Sequence, residues 1–475
     1  MRLLILFLFL CFSLQVTAQS KQFMEAIGWA DKKVELQTIL NRTKQSSCTF
    51  VIGADSIRVF VFTGQQLKLM KQFSVLRKGH ERVLGGFMRD SSVYMYTEYA
   101  QGVLHCIAMN VVTEEIRETF SRLDGKEKPI ACISAGNHFV YITANYRTKE
   151  LSMFNFTSGQ PGTGMRYQFS DIFWRDMRSR SWGGSIQLEV MDREVEPNLD
   201  ALVKSNKLYV KNDTVMLVMN NHIDSTFIIS FDLKQLVAES WLVEHNPGTR
   251  APKNIAYSDN SYLYRDKLYY VRATNDSLLV QVADVYTGAI NKTYTTERRE
   301  EVTWKNTPFM EERVIDNRRK DPRDLSKTSS LLRAMVDGNA VIMVRPFEND
   351  RVEVAVGSYE KMITTTSVGG YPGFNNMPYG GYGGYGAPMM RSPYYNPGRY
   401  IRSTWTNSVH FKTLLNGASF SHVEGVPSGS VNDRVERFTS KMKIDPEMEN
   451  LFTTYGQYYY AYYDKAEARL VVLKF

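Results

Sequence analysis

Cysteine is scarce. The chain has four in 475 residues, and Cys11 lies inside a leader. Cys48, Cys106 and Cys132 remain, with no CxxC pair and no even framework, so no disulfide scaffold is expected. Each sits in a strand-like run, where cysteine behaves as a small buried hydrophobe; one disulfide that leaves a free thiol is the alternative. Long apolar runs are also lacking. Beyond the amino terminus nothing approaches the ~20 residues of a spanning helix, so no transmembrane segment is expected after leader removal. Nor does one sign of charge dominate. The 58 basic and 50 acidic residues leave +8, too little over this length for a nucleic-acid footprint.

Catalytic signatures are absent as well. Gly425-Val-Pro-Ser428-Gly429 has the wrong spacing for a nucleophile elbow. There is no Walker loop, no GxGxxG opening a helix, no HExxH and no EF-hand loop. The seven histidines are scattered. His410 and His422 flank one hairpin, and His222 lies two residues from Asp224; each reads as a loop histidine rather than a metal ligand. Asp90, Asp213, Asp266 and Asp337 occupy matching turns, where Asp accepts turn amides, which points to a structural role. No catalytic residue, cofactor or metal ligand is therefore assigned.

What is present is short-strand sequence. Aromatics reach 12%, with 28 tyrosines. Lys128 to Asp171 shows the pattern: KPIACISAGNH, FVYITANYRTK, ELSMFNFTSGQPGTG and MRYQFSD. These are β-branched and aromatic runs, the first three closed by turn residues, and they predict a four-stranded antiparallel meander. One meander cannot stand alone. Seven runs repeat its second strand: IRVFVF from Ile57, VYMYTEY from Val93, FVYITANY from Phe139, VMLVMNN from Val215, LYYVRAT from Leu268, VIMVRPF from Val341 and YYYAYY from Tyr458. The pattern predicts an all-β chain, a seven-bladed β-propeller with six or eight blades as alternatives, because radial closure protects strand edges. Two β-sandwiches are the competing architecture. The last unit ends at Phe475 without a fourth run, and the lone strand Val34–Leu40 is expected to supply it.

Residues 1–18 read as a signal peptide: Arg2, an apolar Leu3–Leu14 run, and Val16-Thr17-Ala18 before the cleavage point. Residues 19–33 are a polar lead-in and 34–475 the propeller. Insertions fall at 172–198, at 298–327 and at the low-complexity arm 369–400. The arm is rich in Gly, Tyr, Pro, Asn and Met with two arginines as its only charges, so disorder is expected. It reads as the tip of a long hairpin whose flanks are VEVAVGSYEKMITTT and IRSTWTNSVHFKTLL. Residues 431–450 read as a partly helical connector. Trp174, Trp182, Trp304 and Trp405 lie in insertions or near the arm, and Tyr379, Tyr382 and Tyr385 within it. These seven are the candidate interaction residues, since aromatics give contact area at low entropic cost.

The TAQ cleavage region behind a Leu/Phe-rich leader, the blade pattern and the style of insertion resemble the exported β-propellers of the Bacteroidetes. Asp55-Ser56-Ile57, Asp213-Thr214-Val215, Asp224-Ser225-Thr226 and Asp276-Ser277-Leu278 are similar to the O-glycosylation acceptors of that group. The resemblance implies export to the periplasm or cell surface. The reading that follows is a non-enzymatic module that binds a protein partner or assembles an envelope complex. The alternative is a glycan-binding or glycan-active propeller at the cell surface.

Overall fold

The computed structural model describes residues 20–29, 34–41, 45–78, 81–100, 102–123, 128–160, 162, 164–171, 173–174, 188–191, 195–197, 199–211, 213–222, 224–245, 256–315, 318–368, 399–441 and 449–475. Their strands form seven sheets in a β-propeller. Sheet I contains Glu35–Asn41, Ser46–Ile52, Ser56–Thr63 and Lys68–Leu76; sheet II contains Arg82–Arg89, Ser92–Ala100, Val103–Asn110 and Ile116–Arg122. Sheet III contains Lys128–Ala135, His138–Asn145, Glu150–Phe156 and Met165–Gln168. Sheet IV runs Leu188–Met191, Asn206–Lys211, Thr214–His222, Ser225–Asp232 and Val237–Glu244. Sheet V contains Tyr257–Tyr264, Lys267–Thr274, Ser277–Asp284 and Ile290–Glu297. Sheet VI is built on Asn339–Phe347, Arg351–Val368, Arg399–Asn416 and Phe309–Ile315, and sheet VII on Glu449–Thr454, Gln457–Asp464, Arg469–Lys474 and Ser20–Ala26.

The interior strands are apolar on both faces because both faces meet a neighbouring sheet. Ser56–Thr63 and Gln457–Asp464 are buried nearly end to end, whereas the outermost Val237–Glu244 is mostly exposed. Apolar clusters join I to II, II to III, III to IV, IV through V to VI, and VII to I. Tyrosine hydroxyls fasten neighbouring sheets. Tyr96 donates to Ser158 O at 2.5 Å, Tyr294 to Phe420 O at 2.6 Å and Tyr459 to Gln65 O at 2.5 Å. The turns repeat one device. Asn110, Asp232, Asp284 and Asn416 each accept the amides two and three residues on. The residue four on then takes positive φ, at Glu114, Leu236, Gly288 and Phe420.

Four expectations need correction. Val34–Leu40 does not close the ring: Glu35–Asn41 pairs with Ser46–Ile52 inside sheet I. The closing strand is Ser20–Ala26, in the expected lead-in, and it lies antiparallel to Arg469–Lys474. Two of the seven runs are out of step. IRVFVF is the third strand of sheet I, and VIMVRPF is at the edge of sheet VI. Residues 298–327 are not simply an insertion, since Phe309–Ile315 pairs with Arg399–Asn416 as an outer strand of sheet VI. Within 172–198, Leu188–Met191 adds parallel to Asn206–Lys211.

The junction of sheets VI and VII is unlike the others. Helix α1 (Leu199–Leu202) lies between the Leu188–Met191 and Asn206–Lys211 strands of sheet IV, and helix α2 (Thr328–Asp337) precedes the Asn339 strand. Helix α3 (Val431–Lys441) lays Val431, Val435 and Phe438 on Tyr460, Tyr462 and Leu473 of sheet VII. Among the described residues no apolar cluster joins VI directly to VII. The seam instead holds charge. Arg345 donates to Glu353 at 2.6 Å and to Ser428 O at 2.5 Å, and lies 3.6 Å from Glu196; Lys412 lies 3.4 Å from Glu353. Glu196 in turn accepts the Val431 amide at 3.0 Å, at the start of α3.

A buried lysine joins sheets IV, V and VI. Lys207 is fully buried and donates to Lys204 O at 2.6 Å and to Asn260 Oδ1 at 2.5 Å. Asn260 donates to Leu202 O and Ala340 O at 2.8 and 2.9 Å. Burial depresses the Lys207 ammonium from 10.5 to about 7, with Glu189 and Asp259 opposing. Because the folded value lies below the unfolded one, the burden on stability is complete below pH 7 and fades as pH rises toward 10.5. Lys207→Met is expected to stabilise the protein at pH 6, on the order of 2 kcal/mol after the lost hydrogen bonds are counted. The gain should shrink by pH 9.5 in denaturant titrations. A gain independent of pH would show that packing, not charge, sets the effect.

Candidate functional site

The candidate aromatic residues do not gather into one platform. Trp174 is 4% exposed; it packs edge-on against Phe173 and Tyr146, and its indole N–H donates to Lys149 O at 3.0 Å. Trp304 is 6% exposed; it lies against Tyr294 and Phe411 and donates to Thr296 Oγ1 at 3.3 Å. Both are core residues, which corrects their assignment as surface contacts: the large apolar ring goes inside once its N–H has a partner. Trp405 is half-buried on sheet VI. Trp182, Tyr379, Tyr382 and Tyr385 lie outside the described residues, as does the 369–400 arm apart from Arg399 and Tyr400.

The inner strands enclose a central cavity of about 650 Å³. Its polar lining includes Gln37, Thr38, Ser134, Asn137 and Asn450. Asp213 is the one carboxylate among the described lining residues. It is engaged by Lys234 at 2.6 Å and by His138 of sheet III at 3.1 Å. The Lys234 hydrogen bond, chiefly, holds its carboxyl below the usual range. Asp266 is likewise met by Lys211 of the preceding sheet at 2.7 Å. These turn aspartates tie neighbouring sheets, and the described part of the cavity has no second carboxylate for acid–base work. Cys132 also lines it, with its thiol pushed up to about 12 by burial.

One element departs from the rest of the propeller, the hairpin of sheet VI. Arg351–Val368 and Arg399–Asn416 are each 18 residues long, about three times an ordinary strand. They pair with each other throughout, from Arg351 with Asn416 to Val368 with Arg399. The rest of the sheet does not follow them. Asn339–Phe347 covers the first strand only as far as Tyr359, and Phe309–Ile315 covers the second only between Trp405 and His410. Beyond Met362 and before Trp405 the pair continues as a two-stranded ribbon for about 20 Å. Both its outer edges carry backbone donors and acceptors with no further strand beside them among the described residues. At its base, Gly357 lets the strands meet: a Cβ there would run into the Val409 carbonyl.

No protein-family model matches the sequence, and no curated protein matches it. Among solved structures the chain is similar to Hsv2 of Kluyveromyces lactis, at 14% identity and a TM-score of 0.31 over 68% of this chain and 71% of that one. It is similar to the WD40 domain of SCAP from fission yeast, at 8% identity and a TM-score of 0.31 over 95% and 97%. It is also similar to an apocarotenoid oxygenase of Synechocystis, at 8% identity and a TM-score of 0.31 over 56% and 62%. Likenesses this slight carry no argument about function.

Proposed function

We propose that the chain is an exported, non-enzymatic β-propeller that holds a protein partner on the ribbon of sheet VI, as a binding or envelope-assembly module. The observation that supports this reading is the ribbon itself. Two strands that outrun their own sheet contribute little to the propeller's core, yet they present open edges that a partner strand can extend by main-chain hydrogen bonding. Edges of that kind are normally shortened or covered unless something binds them. The sequence around them, KMITTTSV and RYIRSTW, is rich in β-branched residues, suits pairing and carries cationic side chains. The expected test is co-purification from envelope extract. The intact chain should bring down one partner in stoichiometric amount, and deleting 363–404 with a two-residue turn in its place should abolish capture while leaving the melting temperature unchanged. Equal capture by the shortened chain would overturn the proposal.

A further inference from the structure

At the foot of the ribbon lies a groove of about 680 Å³, and strand register lays its floor. Ser358, Val409 and Glu311 form one cross-strand row; Glu360, Asn407 and Arg313 form the next; Met362, Trp405 and Ile315 form the third. Alternate residues of a strand share a face, so the three rows lie on one side of the sheet. Helix α2 makes a wall, with Ser329, Arg333 and Asp337 on one stripe. Thr328 donates to Glu300 O at 2.6 Å, which sets the start of α2 beside Arg298. At the other end of α2, Gly338 lies against Glu360.

The groove therefore has two unlike ends. Around the start of α2 are donors: Arg298, Ser329, Ser330 and Asn275, with Arg333 one turn on. No side chain caps this end of the helix, and its dipole adds positive potential. Arg333 has no ion pair among the described residues, and Arg298 has only a 3.9 Å approach to Asp276. Around the end of α2 are acceptors, Asp337 and Glu360. Glu311 is already committed to Arg313 at 2.5 Å. On the floor, Asn407 Oδ1 is buried and accepts no hydrogen bond, a shortfall that costs stability unless a donor meets it. Trp405 and the 47% exposed Met362 extend the same face toward the ribbon.

We infer that this groove binds a carboxylate-bearing oligosaccharide. The guanidiniums at the donor end hold the carboxylate. Ring hydroxyls donate to Glu360, Asp337 and Asn407 Oδ1, and an apolar sugar face rests on Trp405. The volume suits about two or three rings. An acidic peptide satisfies the arginines but brings like charge to Glu360 and Asp337, whereas a sugar brings hydroxyl donors there. The site is separate from the ribbon edges and stands whether or not a protein partner binds them.

The test is calorimetry on the full chain with 3′-sialyllactose and an aldotriouronic acid, each bearing a single carboxylate, as probes, and maltotriose and hexaglutamate as comparisons. At least one acidic saccharide should bind, about tenfold tighter than maltotriose or hexaglutamate. The double variant Arg298→Gln/Arg333→Gln, exposed on the surface and neutral to packing, should weaken it about tenfold or more. Asn407→Leu should weaken the saccharide about fivefold without lowering the melting temperature. Deleting 363–404 with a two-residue turn in its place should leave saccharide affinity unchanged, which separates this site from partner binding on the ribbon. Failure of both acidic saccharides to bind the folded parent overturns the inference. Hexaglutamate binding as tightly as either, or indifference to the double arginine variant, overturns it too.

Discussion

A chain lacking residues 20–27 is expected to lose on the order of 5 kcal/mol of unfolding free energy and to self-associate. The loss follows from what that segment touches. Ser20–Ala26 is the fourth strand of sheet VII, in register with Arg469–Lys474 from Lys474 back to Arg469. Its Phe23 ring also reaches across to sheet I, 4.9 Å from Phe62 and 5.7 Å from Phe60. Ile27 is buried, and its amide donates to Ala468 O at 2.8 Å. Truncation thus removes a ladder and an inter-sheet contact together. It also turns RLVVLK, buried from Leu470 to Leu473, into an open apolar edge. Thermal melting with light scattering measures both effects. Phe23→Ala keeps the ladder and removes the ring contact, at an expected cost of about 2 kcal/mol. A synthetic SKQFMEAI peptide should restore part of the melting temperature of the truncated chain. A truncated chain that stays monomeric with an unchanged melt would show that the ring does not depend on this strand.

The second large effect is expected at the seam between sheets VI and VII. Glu353 is 1% exposed and faces Arg345 and Lys412. Glu353→Gln leaves two cations close together with Glu196 as the nearby anion, and should cost about 3 kcal/mol. Replacing the pair, Glu353→Leu with Arg345→Met, should recover much of that loss, because two desolvated charges leave the interior together. Denaturant titration of the single and double variants gives the coupling. The single variant should also speed proteolysis near α3, since Ser428 and Glu196 connect that helix to the cluster. A cost below about 1 kcal/mol for Glu353→Gln would mean the seam is held by α3 packing alone.

Much of this architecture is legible in the amino-acid order, because the interior strands are apolar on both faces and read as continuous runs. The second strands of sheets III and V, His138–Asn145 and Lys267–Thr274, lie within a residue of the runs FVYITANY and LYYVRAT. The misreadings share a cause. Phe309–Ile315, FMEERVI, is an outer strand with a wet side, so its charges resemble a loop. SKQFMEA has no β-branched residue and enters the fold through Phe23 and through backbone pairing at the far end of the chain. Giving Val34–Leu40 to the last unit leaves IRVFVF read as a second strand, which shifts sheet I by one strand. The repeated turn, Asn or Asp followed four residues on by a left-handed residue, is present in NVVTE, DLKQL, DVYTG and NGASF and is a signal that sets the register. Of the site, the long hairpin is readable from its flanking strands, with Trp405 on one of them. The groove beneath is not, because Arg298, Arg333 and Asn407 come from three separate elements brought together by register and by one hydrogen bond at Thr328.

The strand that completes the circle is among the first parts of the ordered chain to be synthesised, and its partner among the last. No local pairing is open to it in the meantime. Until the carboxyl-terminal hairpin emerges, the Ser20–Ala26 strand lacks its ladder partner Arg469–Lys474, so the slow, long-range step of assembly falls at the very end. Nascent chains stalled short of Arg469 should therefore fold sheet by sheet yet never lock.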